Sequence, residues 1–274
     1  MNCAICNGRA EKHGESLVLG KHTAEYQLCT ACGFLQVVNP HWLEEAYESA
    51  MTSTDIGHVW RADYLSKITK AVIHAFNNPK GRFVDFGAGY GISVRKMRDL
   101  GYDFSWHDKY SENLFAKGFE AELQGSSKYE LATAFEVFEH LSDPMRQISE
   151  VIDYSDEVFF TTELISRQPP PLDEWWYYAP EHGQHIAFYT EDALRSVAAK
   201  FSLNFVTNGV NLHLFTRKKI APRVFKLVVR DKVCEWFNFL NRRPSLLSQD
   251  FDDGRKRVLA AQQEPHQAEI RRSK

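Results

Sequence analysis

Between residues 83 and 91 the chain runs Phe-Val-Asp-Phe-Gly-Ala-Gly-Tyr-Gly, four residues of a buried strand followed by glycines at alternate positions. Behind this turn, Ile92, Val94, Met97 and Leu100 recur close to helical spacing. Strand, glycine turn and helix in that order is the context in which such a turn carries meaning. Glycine accepts a positive φ and lets a ligand approach a backbone that has no Cβ. The helix N-terminus beyond it offers unpaired N–H groups to polar or anionic atoms. A dinucleotide fingerprint requires G-x-G-x-x-G, whereas Gly87-x-Gly89-x-Gly91 has another spacing, so the glycines alone do not name the ligand.

The segments around this turn extend the same pattern. Residues 59–76 predict a helix with Leu65, Ile68, Val72 and Phe76 on one face, stopped by Asn77-Asn78-Pro79 and expected to cover the sheet edge. After Leu100-Gly101, Phe104–His107 reads as a second strand ending on Asp108. An acid at that strand tip is where a nucleoside-binding fold meets ribose, since one carboxylate can accept from two hydroxyls. Tyr129–Phe135 and Glu157–Thr162 read as further strands separated by a helix over Met145–Val151. Strands alternating with helices predict a parallel sheet that binds its ligand at the strand carboxyl ends. The glycine turn, Asp108 and the stretch Glu136–His140 all fall there. Leu203–Val206 and Val210–Thr216, joined through Asn208-Gly209, read as a closing hairpin.

Four of the five cysteines lie ahead of this region as Cys3-x-x-Cys6 and Cys29-x-x-Cys32. Two such turns can supply four thiolates to one tetrahedral zinc, leaving no open position for chemistry. Gly8 and Gly33 suit the tight reversals beside the sulfurs, and Ser16–Leu19 with Glu25–Leu28 read as a hairpin between the pairs. The 22 residues separating the pairs slightly exceed the usual ribbon gap. Two disulfides suit a secreted chain, and a redox C-x-x-C occurs once beside a βαβ pattern. His13 or His22 could replace a ligand but neither is better spaced. Cys234 stands apart and reads as a buried apolar residue. Asn39-Pro40 ends the ribbon, a short helix is expected over 41–50, and 51–57 reads as a polar loop; Tyr47 and Trp60 read as packing aromatics.

A length of 274 residues with 43% apolar content suffices for one α/β domain with appendages. A net charge of −3 argues against a broadly cationic nucleic-acid binder. No apolar run approaches the ~20 residues of a membrane span. The first residues lack the features of a secretory signal, so a cytoplasmic protein is the expectation. Residues 222–241 predict one helix with Phe225, Val229, Val233, Trp236 and Leu240 on a stripe, surrounded by Lys218, Lys219, Arg223, Lys226, Arg230 and Lys232. Such a helix docks on the core or on a second subunit of a homo-oligomer, or lies on an anionic membrane surface through residues 220–241. The tail from Gln262 is polar and expected to be unstructured.

Taken together, these residues resemble the class I S-adenosylmethionine (SAM)-dependent methyltransferases. Val84–Gly91 resembles their first motif, Asp108 their ribose-binding acid, and Phe135–Leu141 the E-V-x-E-H-L element of one branch. Gln184–Thr190 resembles that branch's H-x-x-F-Y/F-S/T segment. The resemblance spans roughly residues 80–218. It implies a Rossmann-like α/β fold, a mostly parallel sheet of seven strands with an antiparallel last strand. It also implies cofactor contacts from Asp85, Gly87, Ala88, Gly89, Asp108, Phe135 and Glu136. A four-cysteine module ahead of such a domain is similar to sugar C-methyltransferases and to methyltransferases of surface-polysaccharide assembly. Those sugar enzymes carry Glu-His where this chain has Gln184-His185, and they have a further C-terminal domain.

The expected organisation is a zinc ribbon (1–40), a helical linker (41–80), a SAM-binding domain (81–219) and a C-terminal helical extension with tail (220–274). The aromatic loop Pro169–His182 reads as a lid or acceptor platform, its alternative being a hydrophobic plug. The expected activity is methyl transfer to a small-molecule or glycan acceptor. His185 is the expected base, and His182, His140 and Glu136 the polar groups facing the acceptor. Two other readings stay open: an RNA or protein methyltransferase that grips its polymer through the ribbon, and a non-catalytic ribbon module on a methyltransferase-like fold.

Overall fold

The computed structural model describes residues 2–48, 56–123 and 128–272, with side chains up to residue 262. At the N-terminus β1 (Ala10–Val18) and β2 (His22–Cys29) form an antiparallel hairpin that reverses through Leu19 and Gly20, both at positive φ. β3 (Leu35–Val37) pairs with β2, and α1 (Leu43–Ala46) follows. The helix expected over 41–50 is thus shorter, since 41–42 and 47–48 are turn or bend; residues 49–50, and 51–55 of the expected loop, lie outside the described residues. α2 (His58–Phe76) leads to β4 (Arg82–Phe86), the glycine turn and α3 (Ile92–Asp99). β5 (Asp103–His107), β6 (Leu131–Ala134), α4 (Pro144–Tyr154) and β7 (Val158–Thr161) continue the alternation. Asp143 caps α4 by accepting from the Arg146 amide, with Pro144 at the first helical position where its missing N–H costs nothing. Then come β8 (Ala187–Phe188), α5 (Glu191–Lys200), β9 (Asn204–Thr207), β10 (Leu212–Thr216), α6 (Pro222–Val228), α7 (Asp231–Leu240) and α8 (Leu247–Arg272).

The central sheet has the order β5-β4-β6-β7-β10-β9. β5, β4, β6 and β7 pair in parallel, and β10 runs antiparallel to both of its neighbours. This is the expected Rossmann-like α/β fold, with six strands described where seven were expected. Beyond β5 the seventh is reduced to a single parallel bridge between Trp106 and Glu120. Where a regular strand would run, Trp106 N donates to the Phe119 carbonyl and Ala121 N to that of Trp106, and no ladder continues.

Two apolar layers sandwich the sheet. On one face Val84, Ala132, Val158, Phe160 and Phe215 pack against α4 and α5 through Ile148, Val151, Leu194 and Val197. On the other, Phe83, Phe104, Leu131, Phe159 and Leu214 pack against Leu65, Ile68 and Val72 of α2, Val94 and Met97 of α3, and Phe225 and Val228 of α6. α2 therefore covers a face of the sheet, not its edge. Its apolar residues share one cluster with side chains of β4, β5, β6, β7, β9 and β10.

Two further expectations are corrected, and the ribbon shows an attachment of its own. The helix over 222–241 is broken at Val229-Arg230 into α6 and α7, and its stripe divides: Phe225 and Val229 are buried, whereas Trp236 and Leu240 are exposed. The backbone after Gln262 stays helical to Arg272. The ribbon hairpin is not self-contained, because β3 takes β8 as a fourth strand in the order β1-β2-β3-β8. Among the described residues no helix is long and apolar enough to cross a membrane.

Candidate functional site

The turn after β4 is shaped by backbone that glycine alone adopts without strain. Gly87 has φ 70, and a Cβ there would lie 2.6 Å from Val137 Cγ2. Gly89 has φ 52, and a Cβ there would meet nothing within 4 Å. Its side therefore faces open space above the strand ends. Gly89 N donates to Asp108 Oδ2 at 2.8 Å, while the amides of Tyr110 and Ser111 both donate to Asp108 Oδ1 at 2.8 Å. The carboxylate at the tip of β5 is thus locked beside the turn, with one of its about four lone pairs, on Oδ2, still to spare.

Beneath the turn Asp85 is buried and accepts from Thr133 Oγ1 at 2.5 Å. The two residues are register partners on β4 and β6. Burial pushes the Asp85 carboxyl up to about 7, against the pull of the Thr133 hydrogen bond. At the end of β6 Glu136 holds φ 53, an uncommon conformation for a residue with a side chain. Thr161 secures it from both sides: Glu136 N donates to Thr161 Oγ1 at 2.8 Å, and that hydroxyl donates to Glu136 Oε1 at 2.7 Å. Phe135 lies edge-on to Phe159 just before it.

Three histidines form a row opposite. The rings of His140 and His185 lie 5.0 Å apart, and those of His185 and His182 lie 4.9 Å apart. Their partners differ, which separates their chemistry. His140 Nδ1 donates to the Gln184 carbonyl at 3.0 Å, and His185 Nδ1 donates to the Tyr177 carbonyl at 2.6 Å. In the neutral rings Nε2 of both is therefore a lone pair. His182 Nδ1 accepts from Gln184 N at 3.2 Å, so its neutral ring carries the proton on Nε2. Burial lowers His140 to about 4; burial and then the neighbouring His140 lower His185 well below the usual imidazole range. Both stay neutral across ordinary pH.

These groups share one cavity of about 730 Å³, within the ~300–1,000 Å³ of small-molecule sites. All ten residues expected from the sequence line it: Asp85, Gly87, Ala88, Gly89, Asp108, Phe135 and Glu136 on one side, His140, His182 and His185 on the other. The loop over Pro169–His182 divides in its burial. Tyr177 and Tyr178 are buried in the ribbon-side cluster, whereas Trp176 is 72% exposed at the cavity mouth. Thr133, Thr161 and Glu139 were given no role from the sequence. Glu139 is fully buried, and neither of its carboxylate oxygens has a hydrogen-bond partner. The E-x-x-E-H spacing was the available signal for it.

The four N-terminal cysteines converge away from this cavity. Their Sγ atoms all lie within 4.8 Å of one another, with Cys3–Cys32 at 3.7 Å and Cys6–Cys29 at 3.5 Å. Four sulfurs at ~2.3 Å from a tetrahedral zinc would stand about 3.8 Å apart. The amides of Ile5, Gly8 and Cys32 point at Cys3, Cys6 and Cys29 sulfurs at 3.4 Å each, which favours thiolates. His22 is turned away toward Glu45 at 3.0 Å. Cys234 is buried, and burial pushes its thiol up to about 12, as suits an unreactive core residue.

The family model of a methyltransferase domain matches residues 58–208. No curated protein matches the sequence. Among solved structures the chain is similar to a magnesium protoporphyrin IX methyltransferase from Synechocystis with bound SAM, at 14% identity and TM-score 0.40 over 64% of this chain and 90% of that one. It is also similar to human N-acetylserotonin methyltransferase in complex with SAM, at 12% identity and TM-score 0.36 over 65% and 66% of the two chains. An O-methyltransferase family protein from Burkholderia thailandensis matches at 11% identity and TM-score 0.39 over 66% and 68%.

Proposed function

The chain belongs to the methyltransferase-domain family, and from that premise we propose that it transfers a methyl group from SAM to a hydroxyl of a small-molecule or glycan acceptor. The observation that carries this reading is one cavity lined both by a bare glycine turn beside a fixed carboxylate and by two imidazoles with Nε2 lone pairs. SAM supplies a methyl carbon already activated on a sulfonium. What remains for the protein is to align the acceptor and deal with its proton.

Gly87 and Gly89 leave room for the cofactor against the backbone, and Asp108 Oδ2 accepts from a ribose hydroxyl. Phe135 and Glu136 wall the cofactor from the acceptor side. Asp85 underpins the turn from below. His185 Nε2 receives the acceptor proton, with His140 beside it as a second lone pair and the His182 N–H as a donor to the acceptor. A base that remains neutral across ordinary pH can take the proton whenever its Nε2 is open to the acceptor. Its low affinity for the proton suits a relay to solvent more than a lasting store.

We assign the four cysteines to a structural zinc, supported by the sulfur spacing and the amide donors. Sugar and surface-polysaccharide pathways are the proposed source of the acceptor, on the resemblance of a ribbon set ahead of this domain. The ribbon's β3 edge and its apolar face are taken up by the methyltransferase body. That favours a small acceptor over a polymer gripped by the ribbon.

The test is calorimetry with SAM and S-adenosylhomocysteine, followed by a screen of nucleotide sugars and other hydroxylated acceptors for labelled methyl uptake. Asp108→Ala is expected to weaken SAM binding. His185→Ala is expected to leave it intact and lower turnover by ~10²–10⁴-fold, the usual range for losing general-base catalysis. Absent SAM binding overturns the methyl-transfer reading, and near-native turnover of His185→Ala overturns the base.

A further inference from the structure

Glu139 poses a problem that the methyl-transfer reading does not solve. Glu139 is sealed from solvent and neither of its oxygens makes a hydrogen bond of normal geometry, although the hydroxyls of Tyr177 and Thr162 lie close; burial pushes its carboxyl well above the usual range, and such a group calls for a specific explanation. Its surroundings supply one. One ligand atom from each of Glu139, His140 and His185 lies within 4.8 Å of the others. Both histidines are set up as metal-binding imidazoles usually are, with Nδ1–H tied to a backbone carbonyl that fixes the ring and leaves Nε2 free. An ion between them would take these atoms at the ~2.0–2.2 Å of an N,N,O site.

We infer that Glu139, His140 and His185 hold a divalent first-row transition-metal ion at the acceptor end of the cavity. Two imidazoles and one carboxylate select against magnesium and calcium, which prefer oxygen ligands. Three protein ligands leave coordination positions open toward the cavity that His140 and His185 line. The role of the ion, though not its presence, rests on the methyl-transfer reading. An acceptor hydroxyl bound to it ionises more readily and releases its proton to water. The resulting oxygen attacks the methyl carbon, the C–O bond forming as the C–S bond breaks and the neutral thioether departing. In the loaded enzyme His185 is then a ligand, and its lone pair serves as base only when the ion is absent.

Manganese(II) is the probe, because the thiolate ribbon is a poor site for it. With the full chain zinc-replete, titration followed by electron paramagnetic resonance should show one manganese bound per chain. Glu139→Gln and, separately, His140→Gln should weaken that binding at least ~100-fold, beyond the ~10–100-fold typical of losing an outer-shell partner. SAM affinity, measured on the same samples, should be unchanged in both variants and reports that they are folded. No bound manganese in the wild type overturns the site, as does binding unchanged in a folded variant. Glu139 is then a buried acid facing the hydroxyls of Thr162 and Tyr177. Manganese binding without SAM binding keeps the metal site and removes the methyl-transfer reading instead.

Discussion

Asp85 is enclosed at the end of β4, and its carboxyl titrates near 7 in the folded protein against 3.8 in the open chain. Between those values the native state holds a proton that the unfolded state has released. Its contribution to stability is therefore present below pH 4 and lost as the pH rises toward 7, by up to ~4 kcal/mol at 1.36 kcal/mol per unit. Asp85→Asn keeps an oxygen for the Thr133 hydroxyl and removes the titration. Thermal melting should thus show the variant gaining on the wild type as pH rises from 5 to 8; a pH-independent difference refutes the assignment. The sequence pointed to Asp85 and Gly87 because both belong to the turn itself, and to Asp108 because the following strand ends on it. It was silent on Thr133 and Thr161, whose roles exist only through strand register. Thr133 faces Asp85 because β6 pairs with β4, and Thr161 reaches Glu136 from β7. Glu139 was visible as a letter in a motif. Its isolation was not, since the burial arises from residues far along the chain.

The ribbon hairpin was legible from its cysteine spacing and alternating strands, but its attachment was not. β8 is two residues long and exists because β3 offers an edge to pair with. Around that pairing the N-terminal elements grip the loop ahead of β8 repeatedly. Leu19 N donates to the Pro180 carbonyl at 2.9 Å, Trp42 Nε1 to that of Gly183 at 3.0 Å, and Gln184 Nε2 to that of Ala46 at 2.7 Å. The Thr190 hydroxyl, which also caps α5, donates to the Cys32 carbonyl. Cysteine turns that lose their ion unfold locally, because binding energy at such sites is folding energy. Chelation of zinc, or Cys29→Ser, should consequently raise amide exchange over residues 176–188 as well as in β1 to β3. The turn at 86–91 belongs to the central sheet and should keep its protection along with SAM affinity. If exchange over 176–188 is unaffected by chelation, the ribbon does not position the acceptor side.

At the scale of the whole molecule the C-terminal extension is part of the core. A stripe of Phe225, Val229, Val233, Trp236 and Leu240 reads correctly as amphipathic over a single straight helix, yet Arg230 interrupts that helix. Its first half turns Phe225 and Val229 inward, and its second buries Cys234 while leaving Trp236 and Leu240 outside. Periodicity reports which residues are apolar and carries no information on where the axis breaks. The chain then returns over α3, where Leu246 N donates to the Arg98 carbonyl at 3.1 Å. Asp250 enters to meet Arg98 in two bonds of 2.9 and 2.7 Å, with Arg95 at 2.9 Å from the same carboxylate. Arg98 and Asp250 side chains are only 7% and 5% exposed. Removing one partner of a buried pair leaves the other charge stranded, which typically costs ~3–5 kcal/mol. Arg98 would keep Asp103 at 2.6 Å and the Phe104 carbonyl at 2.9 Å, so Asp250→Ala should fall lower, at roughly 2–4 kcal/mol. Asp252→Ala, two residues on and exposed, should stay within about 0.5 kcal/mol of wild type, as surface substitutions do. Urea unfolding of the two variants decides the point. Equal midpoints would mean that α8 rests on the surface without bearing on the stability of the sheet it crosses, and that the domain is complete where β10 ends.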